Sequence, residues 1–278
     1  MLTAVQSGAY LHHLGLLTPD PAALASFYAD VMDMPALRVD DGSWLCTGPR
    51  RRIVFAAGPA KQLREAVFAC RDREGLDALR HRAQAEGLAP QSFPNALVRD
   101  AFVVQDPDGH RIAFGLAEPD ESSGLAGLHG PLQHLTFASR DVDAFEGFYA
   151  GRLGFAVSDR VRDAAGTHMT CFTRSNHEHH TVACFKAPAA GIDHHSYEAG
   201  EWNILRDWCD RFADRRIPLI WGPGRHGPGN NLFAFIEDPD HNWIEMSAEL
   251  ETVIDRPARE WPHEERSLNL WGRGILRA

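Results

Sequence analysis

Residues 11–28, LHHLGLLTPDPAALASFY, return at residues 132–149 as LQHLTFASRDVDAFEGFY. A shift of 121 aligns His13 with His134, Asp20 with Asp141, Phe27 with Phe148 and Tyr28 with Tyr149. Two later segments also recur. DPDGHRIAF (106–114) matches DPDHNWIEM (238–246) at a shift of 132, which sets Ala113 opposite Glu245. EAVFAC (65–70) matches HHSYEA (194–199) at a shift of 129, which sets Glu65 opposite His194. A chain that repeats itself at this scale is built from two similar modules.

Each copy opens with a short alternating strand, near 10–17 and 131–138, and continues into an amphipathic helix near 20–31 and 141–151. Leu24, Phe27, Tyr28 and Val31 recur at helical spacing. Asp20 before Pro21 is a helix start, and Asp141 is the matching cap. Short strands follow: WLCTG, RIVFAAG and AVFAC in copy one; THMTCFT, HTVACFKA and HHSYEA in copy two. Further helices are expected near 72–86 and 201–215. The predicted fold is α+β, with two tandem modules, each a pair of βαβββ units, at 8–118 and 130–250. The Pro-, Ser- and Gly-bearing stretch 117–130 is the expected linker. The tail, 251–278, holds Trp261, Pro262 and Trp271. These are expected to pack into the body or onto a partner subunit.

Composition narrows the function. Of the 278 residues 44% are apolar and 24% charged, as in an ordinary globular protein, and the net charge is −10. The one basic run, Arg50–Arg52, reads as a solvated hairpin, so nucleic acid is excluded as a partner. No stretch approaches the ~20 apolar residues of a membrane span, and no secretion signal opens the chain. Five scattered cysteines without a CxxC pair indicate neither a structural zinc site nor a disulfide framework. A reducing cytoplasm is the expected compartment.

Copy two carries His134, His194 and Glu245 where copy one carries His13, Glu65 and Ala113. His134 lies in the strand QHLTF and His194 in HHSYE, each followed three positions on by an aromatic residue. Adjacent strand residues face opposite sides, so His194 and His195 cannot share a site. The shared aromatic pattern selects His194. Glu245, in WIEM, is a carboxylate among apolar neighbours and needs a cation. Two neutral imidazoles and one carboxylate leave positions open on an octahedral ion.

With these residues the chain resembles the vicinal oxygen chelate superfamily, and within it the two-module type I extradiol ring-cleaving dioxygenases. The resemblance covers about 10–250. Its most specific stretch is GPGRHGPGNNLFAFIEDPDHNWIE (222–245). It implies a glyoxalase-like fold and, in the second module, Fe(II) or occasionally Mn(II) held by His134, His194 and Glu245. It also implies a small aromatic diol and dioxygen as substrates, and a homo-oligomer. His180 matches the histidine beside the dioxygen position, and His226 the one that bonds the substrate hydroxyl. Trp221, Asn231 and Phe235 fall in the substrate wall. Phe235 departs from the family, which usually has Tyr there. Trp221 stands where relatives that take acidic catechols have Arg, which points to an apolar or bulky substituent. Two other expectations stay open: a glyoxalase-like isomerase or thiol transferase, which would need a further Glu or Gln ligand, and a non-catalytic binding module.

Overall fold

The computed structural model describes residues 2–118 and 126–276, so half of the expected linker, 119–125, lies outside the described residues. The first half contains two βαβββ units. The first runs β1 (Tyr10–Thr18), α1 (Pro21–Val31), β2 (Ala36–Arg38), β3 (Trp44–Gly48) and β4 (Arg51–Ala57). The second runs β5 (Gln62–Cys70), α2 (Arg73–Ala85), β6 (Gln91–Ser92), β7 (Val98–Gln105) and β8 (Arg111–Ala117). The other half repeats the order. There β9 (Leu132–Ser139), α3 (Val142–Glu146), β10 (Ala156–Arg162), β11 (His168–Arg174) and β12 (Val182–Lys186) come first. They are followed by β13 (Gly191–Glu198), α4 (Trp202–Asp214), β14 (Trp221–Arg225), β15 (Leu232–Glu237) and β16 (Trp243–Ala248).

The expected caps form. Asp20 accepts from the Ala23 N–H at 3.0 Å, and Asp141 from the Ala144 N–H at 2.9 Å. The helix expected over 141–151 is not one continuous α-helix. After α3 the chain widens into a π-helical segment at Gly147–Arg152. Gly147 and Gly151 weaken the α ladder there.

Each half makes one sheet, and the strand orders correspond: β2-β3-β4-β1-β5-β8-β7-β6 in the first and β10-β11-β12-β9-β13-β16-β15-β14 in the second. Even the register repeats. His13 lies beside Val67 and Val67 beside Ala113; His134 lies beside Ser196 and Ser196 beside Glu245. The second sheet gains an edge strand from the tail, β17 (Arg259–Pro262), parallel to β10.

The central strands β1 and β5 pack against β9 and β13. Polar groups cross this junction in matched pairs. The Tyr28 hydroxyl donates to Asp238 at 3.1 Å and lies 3.0 Å from His195 Nε2. The Tyr149 hydroxyl donates to Asp106 at 3.3 Å. Each tyrosine of the repeated FY pair thus meets the aspartate of the other half's DPD turn.

One expectation fails here. Arg51 is not part of a solvated hairpin: it is fully buried. Its guanidinium donates to the carbonyls of Leu128 (2.9 Å), Gly130 (3.3 Å) and Asp33 (3.2 Å) and lies 5.2 Å from the Trp208 ring. Those acceptors and that ring satisfy a cation that burial would otherwise forbid. Of the tail tryptophans, Trp271 rests on the surface, with the Arg225 guanidinium 5.2 Å from its ring. It is 55% exposed and makes an edge contact with the half-exposed Trp202. Trp261 does pack, with its indole N–H 2.8 Å from Asp159.

Candidate metal centre

The register explains how three distant residues meet. Directly opposed residues on neighbouring strands share a face, so His134, Ser196 and Glu245 all point the same way. His194 lies two residues before Ser196 on β13 and shares that face. His195 points to the opposite face, where it meets Tyr28. His194 Nε2 is 3.3 Å from His134 Nε2, and Glu245 Oε2 is 3.0 Å from His134 Nε2 and 3.5 Å from His194 Nε2. All the candidate ligand atoms lie within 4.8 Å of one another.

Each histidine is aimed by an acceptor one residue before it. His134 Nδ1 bonds Gln133 Oε1, and the Gln133 amide donates to the His180 carbonyl at 2.6 Å. His194 Nδ1 bonds Asp193 at 2.6 Å. A proton held on Nδ1 leaves Nε2 bare and directed at the cluster, as a metal requires. The charges agree with this. Burial opposes the Glu245 carboxylate, but contacts with His134 and His226 outweigh it and hold its carboxyl well below the usual range. Burial pushes His134 down, toward the neutral form. Asn231 donates to Glu245 Oε1 at 3.2 Å and to Ser247 at 3.0 Å. A neutral His134, a second imidazole with its Nε2 directed at the same point and an ionised carboxylate, gathered with little solvent exposure, suit a divalent ion.

The cluster forms one wall of a cavity. His180, buried, stands with its ring 4.2 Å from that of His134, and burial holds it well below the usual histidine range. His226 donates from Nδ1 to the Leu268 carbonyl at 2.5 Å, and its Nε2 lies 3.5 Å from Glu245 Oε1. Trp221 and Phe235 stack at 5.2 Å, and Phe235 sets its edge against His194. Val161, Phe172 and Phe185 extend the apolar surface.

All eight residues expected in the site line this one cavity. Asn231 lines the cavity with its amide turned to Glu245. The sequence reading missed Gln133 and Asp193, although both stand immediately before a ligand histidine. It also missed the tail, where His263, Glu264, Ser267, Leu268 and Ile275 close one side of the cavity.

Comparisons with known proteins agree with this architecture. The chain is 25% identical to metapyrocatechase 2 of Cupriavidus necator, over 94% of this chain and 88% of that protein. It is 24% identical to an iron-dependent extradiol dioxygenase of Rhodococcus jostii (strain RHA1), over 85% of this chain and 83% of that protein. Its fold matches homoprotocatechuate 2,3-dioxygenase from Brevibacterium fuscum, solved as an anaerobic complex with 3,4-dihydroxyphenylacetate. The TM-score is 0.83 at 22% identity, covering 96% of this chain and 89% of that one. The family model described as Glyoxalase/Bleomycin resistance protein/Dioxygenase superfamily matches residues 10–114 and 132–246, the two sheets found in the structure. By that match and by the register that repeats in both halves, the chain belongs to the glyoxalase/bleomycin resistance protein/dioxygenase superfamily.

Proposed function

We propose that the protein is an extradiol dioxygenase, which opens the ring of a catechol-type diol beside its paired hydroxyls and incorporates both atoms of dioxygen. The observation that carries this reading is the collection of His134, His194 and Glu245 on one wall of an apolar cavity, flanked by His180 and His226. The names of the relatives support it. The superfamily also contains isomerases, for which a further Glu or Gln ligand was anticipated. Among the described residues only three donors gather in this cluster, and Glu65 does not line the cavity.

His134, His194 and Glu245 would hold Fe(II), with Mn(II) as the alternative. Such an ion lowers the pKa of a bound hydroxyl and keeps diol and oxygen side by side. The protein's own groups do the rest. Trp221 and Phe235 offer flat apolar faces to the ring. His226, its Nδ1 engaged by the Leu268 carbonyl, is placed to bond a substrate hydroxyl through Nε2. Phe235 brings no phenol, so the imidazoles carry the proton handling alone. His180 serves the oxygen side, where a neutral imidazole moves a proton without adding a fixed charge. Asn231 steadies the Glu245 carboxylate. Among the described residues no Lys or Arg lines the cavity, whereas Glu264 and Asp193 do. The favoured diol therefore carries an uncharged substituent. A reducing cytoplasm would keep such iron in its Fe(II) state.

The test is anaerobic reconstitution with Fe(II), followed by a screen of substituted catechols and trihydroxybenzenes. The expected result is a yellow ring-fission product with one dioxygen consumed per diol, and faster turnover of methyl- or phenyl-substituted catechols than of 3,4-dihydroxyphenylacetate. Stoichiometric iron and bound catechol without oxygen uptake would overturn the proposal.

A further inference from the structure

Behind His180 the cavity wall continues as a file of buried polar groups that neither the ligands nor the substrate wall uses. His179 and His180 occupy the turn from β11 to β12, and both are buried. Their Nδ1 atoms are 3.0 Å apart, so one donates and the other accepts. On its far side His179 presents Nε2 to Asp159 Oδ2 at 3.0 Å, at an angle away from linear, with both side chains fully enclosed. Asp159 lies on β10 and is met by Trp261 Nε1 at 2.8 Å, Arg256 Nη1 at 3.0 Å and the Arg259 backbone N–H at 3.2 Å. Glu251 grips Arg256 from the other side at 2.6 and 2.7 Å. Burial works against the Asp159 charge, but His179, Trp261 and Arg256 outweigh it and hold the carboxyl below its usual range.

The file has a direction. The contact is a close ion pair rather than an aligned hydrogen bond, yet a bare lone pair 3.0 Å from an ionised carboxylate oxygen would be repelled, so the proton of a neutral His179 sits on Nε2. A neutral imidazole protonated there has its lone pair on Nδ1. His179 Nδ1 therefore accepts, His180 Nδ1 donates, and His180 Nε2 is bare. We propose that Asp159 and His179 are positioning residues that fix His180 in its Nδ1–H tautomer, so that its Nε2 is a hydrogen-bond acceptor. The consequence for turnover rests on the dioxygenase reading: His180, which lines the cavity, then offers the substrate side an acceptor nitrogen and no N–H. The tautomer itself does not depend on the reaction.

Two measurements test it. Nitrogen-15 imidazole spectra of the full-length chain, free of paramagnetic metal, are expected to show His180 protonated at Nδ1. Asp159→Asn, whose amide can donate to His179, is expected to move that proton to Nε2. An Nε2–H tautomer in the unsubstituted chain, or no change in the variant, overturns the proposal. In the iron-loaded enzyme Asp159→Asn is expected to lower kcat roughly 10- to 100-fold with KM for the diol little changed. If that variant folds poorly, the His179 pair decides. His179→Asn keeps an acceptor oxygen where Nδ1 stood and should retain most of kcat and the tautomer, whereas His179→Leu should lose both. Equal behaviour of the two would reduce His179 to packing and end the proposal. A chain that consumes no oxygen with any diol would defeat the dioxygenase reading, and the spectra would still judge the tautomer.

Discussion

In the second sheet His134, Ser196 and Glu245 face one another across three strands; in the first, His13, Val67 and Ala113 hold the same places. The backbone frames agree, and the buried charges do not. Around Glu245 stand imidazoles, and its carboxylate stays ionised. Glu65, the counterpart of His194, has Arg64 Nε 3.3 Å away, and burial still pushes its carboxyl above the usual range. Burial, together with His12, Arg52 and Arg64, holds His13 well below its ordinary value. The first sheet therefore meets its buried acid with an arginine, and the second is prepared for a metal ion. One fold supports both, because the register fixes positions while side-chain identity fixes the charge.

The contrast can be broken outright at Glu245. Glu245→Ala is expected to abolish metal retention and to lower kcat/KM by about a thousandfold or more, since the open ion supplies most of the chemistry. Metal analysis after gel filtration checks this, and a variant that keeps stoichiometric metal refutes the ligand assignment. A second difference lies at Glu198, whose counterpart is Ala69. Burial raises the Glu198 carboxyl from 4.5 to about 7, and the nearby Glu178 and Glu245 carboxylates add to the effect. The unfolded chain thus releases this proton first, so stability falls as pH rises from about 4.5 to about 7 and is level above that. Glu198→Gln should remove this slope, gaining up to about 3 kcal/mol at pH 8 and little at pH 4.5. Urea denaturation at both values checks it; a pH-independent difference would mean that Glu198 is not the titrating group. The smallest effect is expected at Glu65. Glu65→Gln should leave kcat within about twofold and stability within about 1 kcal/mol, because Arg64 is its chief partner and lies partly in solvent. A large loss of activity would mean that the first half takes part in the chemistry.

Much of this was readable in the chain. The three repeat shifts predicted ladder positions that the sheets reproduce, because a strand pair cannot slip by one residue without turning its buried face outward. The same alternation separated His194 from His195, and the aromatic residue three positions on selected His194. The Arg50–Arg52 run was misread because hydropathy does not reveal acceptors. The carbonyls that bury Arg51 belong to residues 128–130, far along the chain. With Val182 beside Leu135 and Ile53 beside Leu14, Arg51 occupies the ladder place of His180. That correspondence was available, but its meaning required the tertiary partners. The His179–Asp159 contact and the tail against the cavity were hidden for the same reason: both join segments that share no local pattern. The widened turn at Gly147–Arg152 differs from the predicted helix because periodicity cannot distinguish i→i+4 from i→i+5 bonding.

The crossed tyrosines bear on why a half without ligands persists. Tyr28, from the first sheet's helix, holds both Asp238 and His195, and His195 is the residue next to His194, the proposed ligand. Removing the N-terminal half would strip a buried carboxylate and a buried imidazole of their phenol and would loosen the strand that bears a ligand. The half whose matching places hold His13, Glu65 and Ala113 thus serves as a foundation, bracing from behind the strand that carries His194.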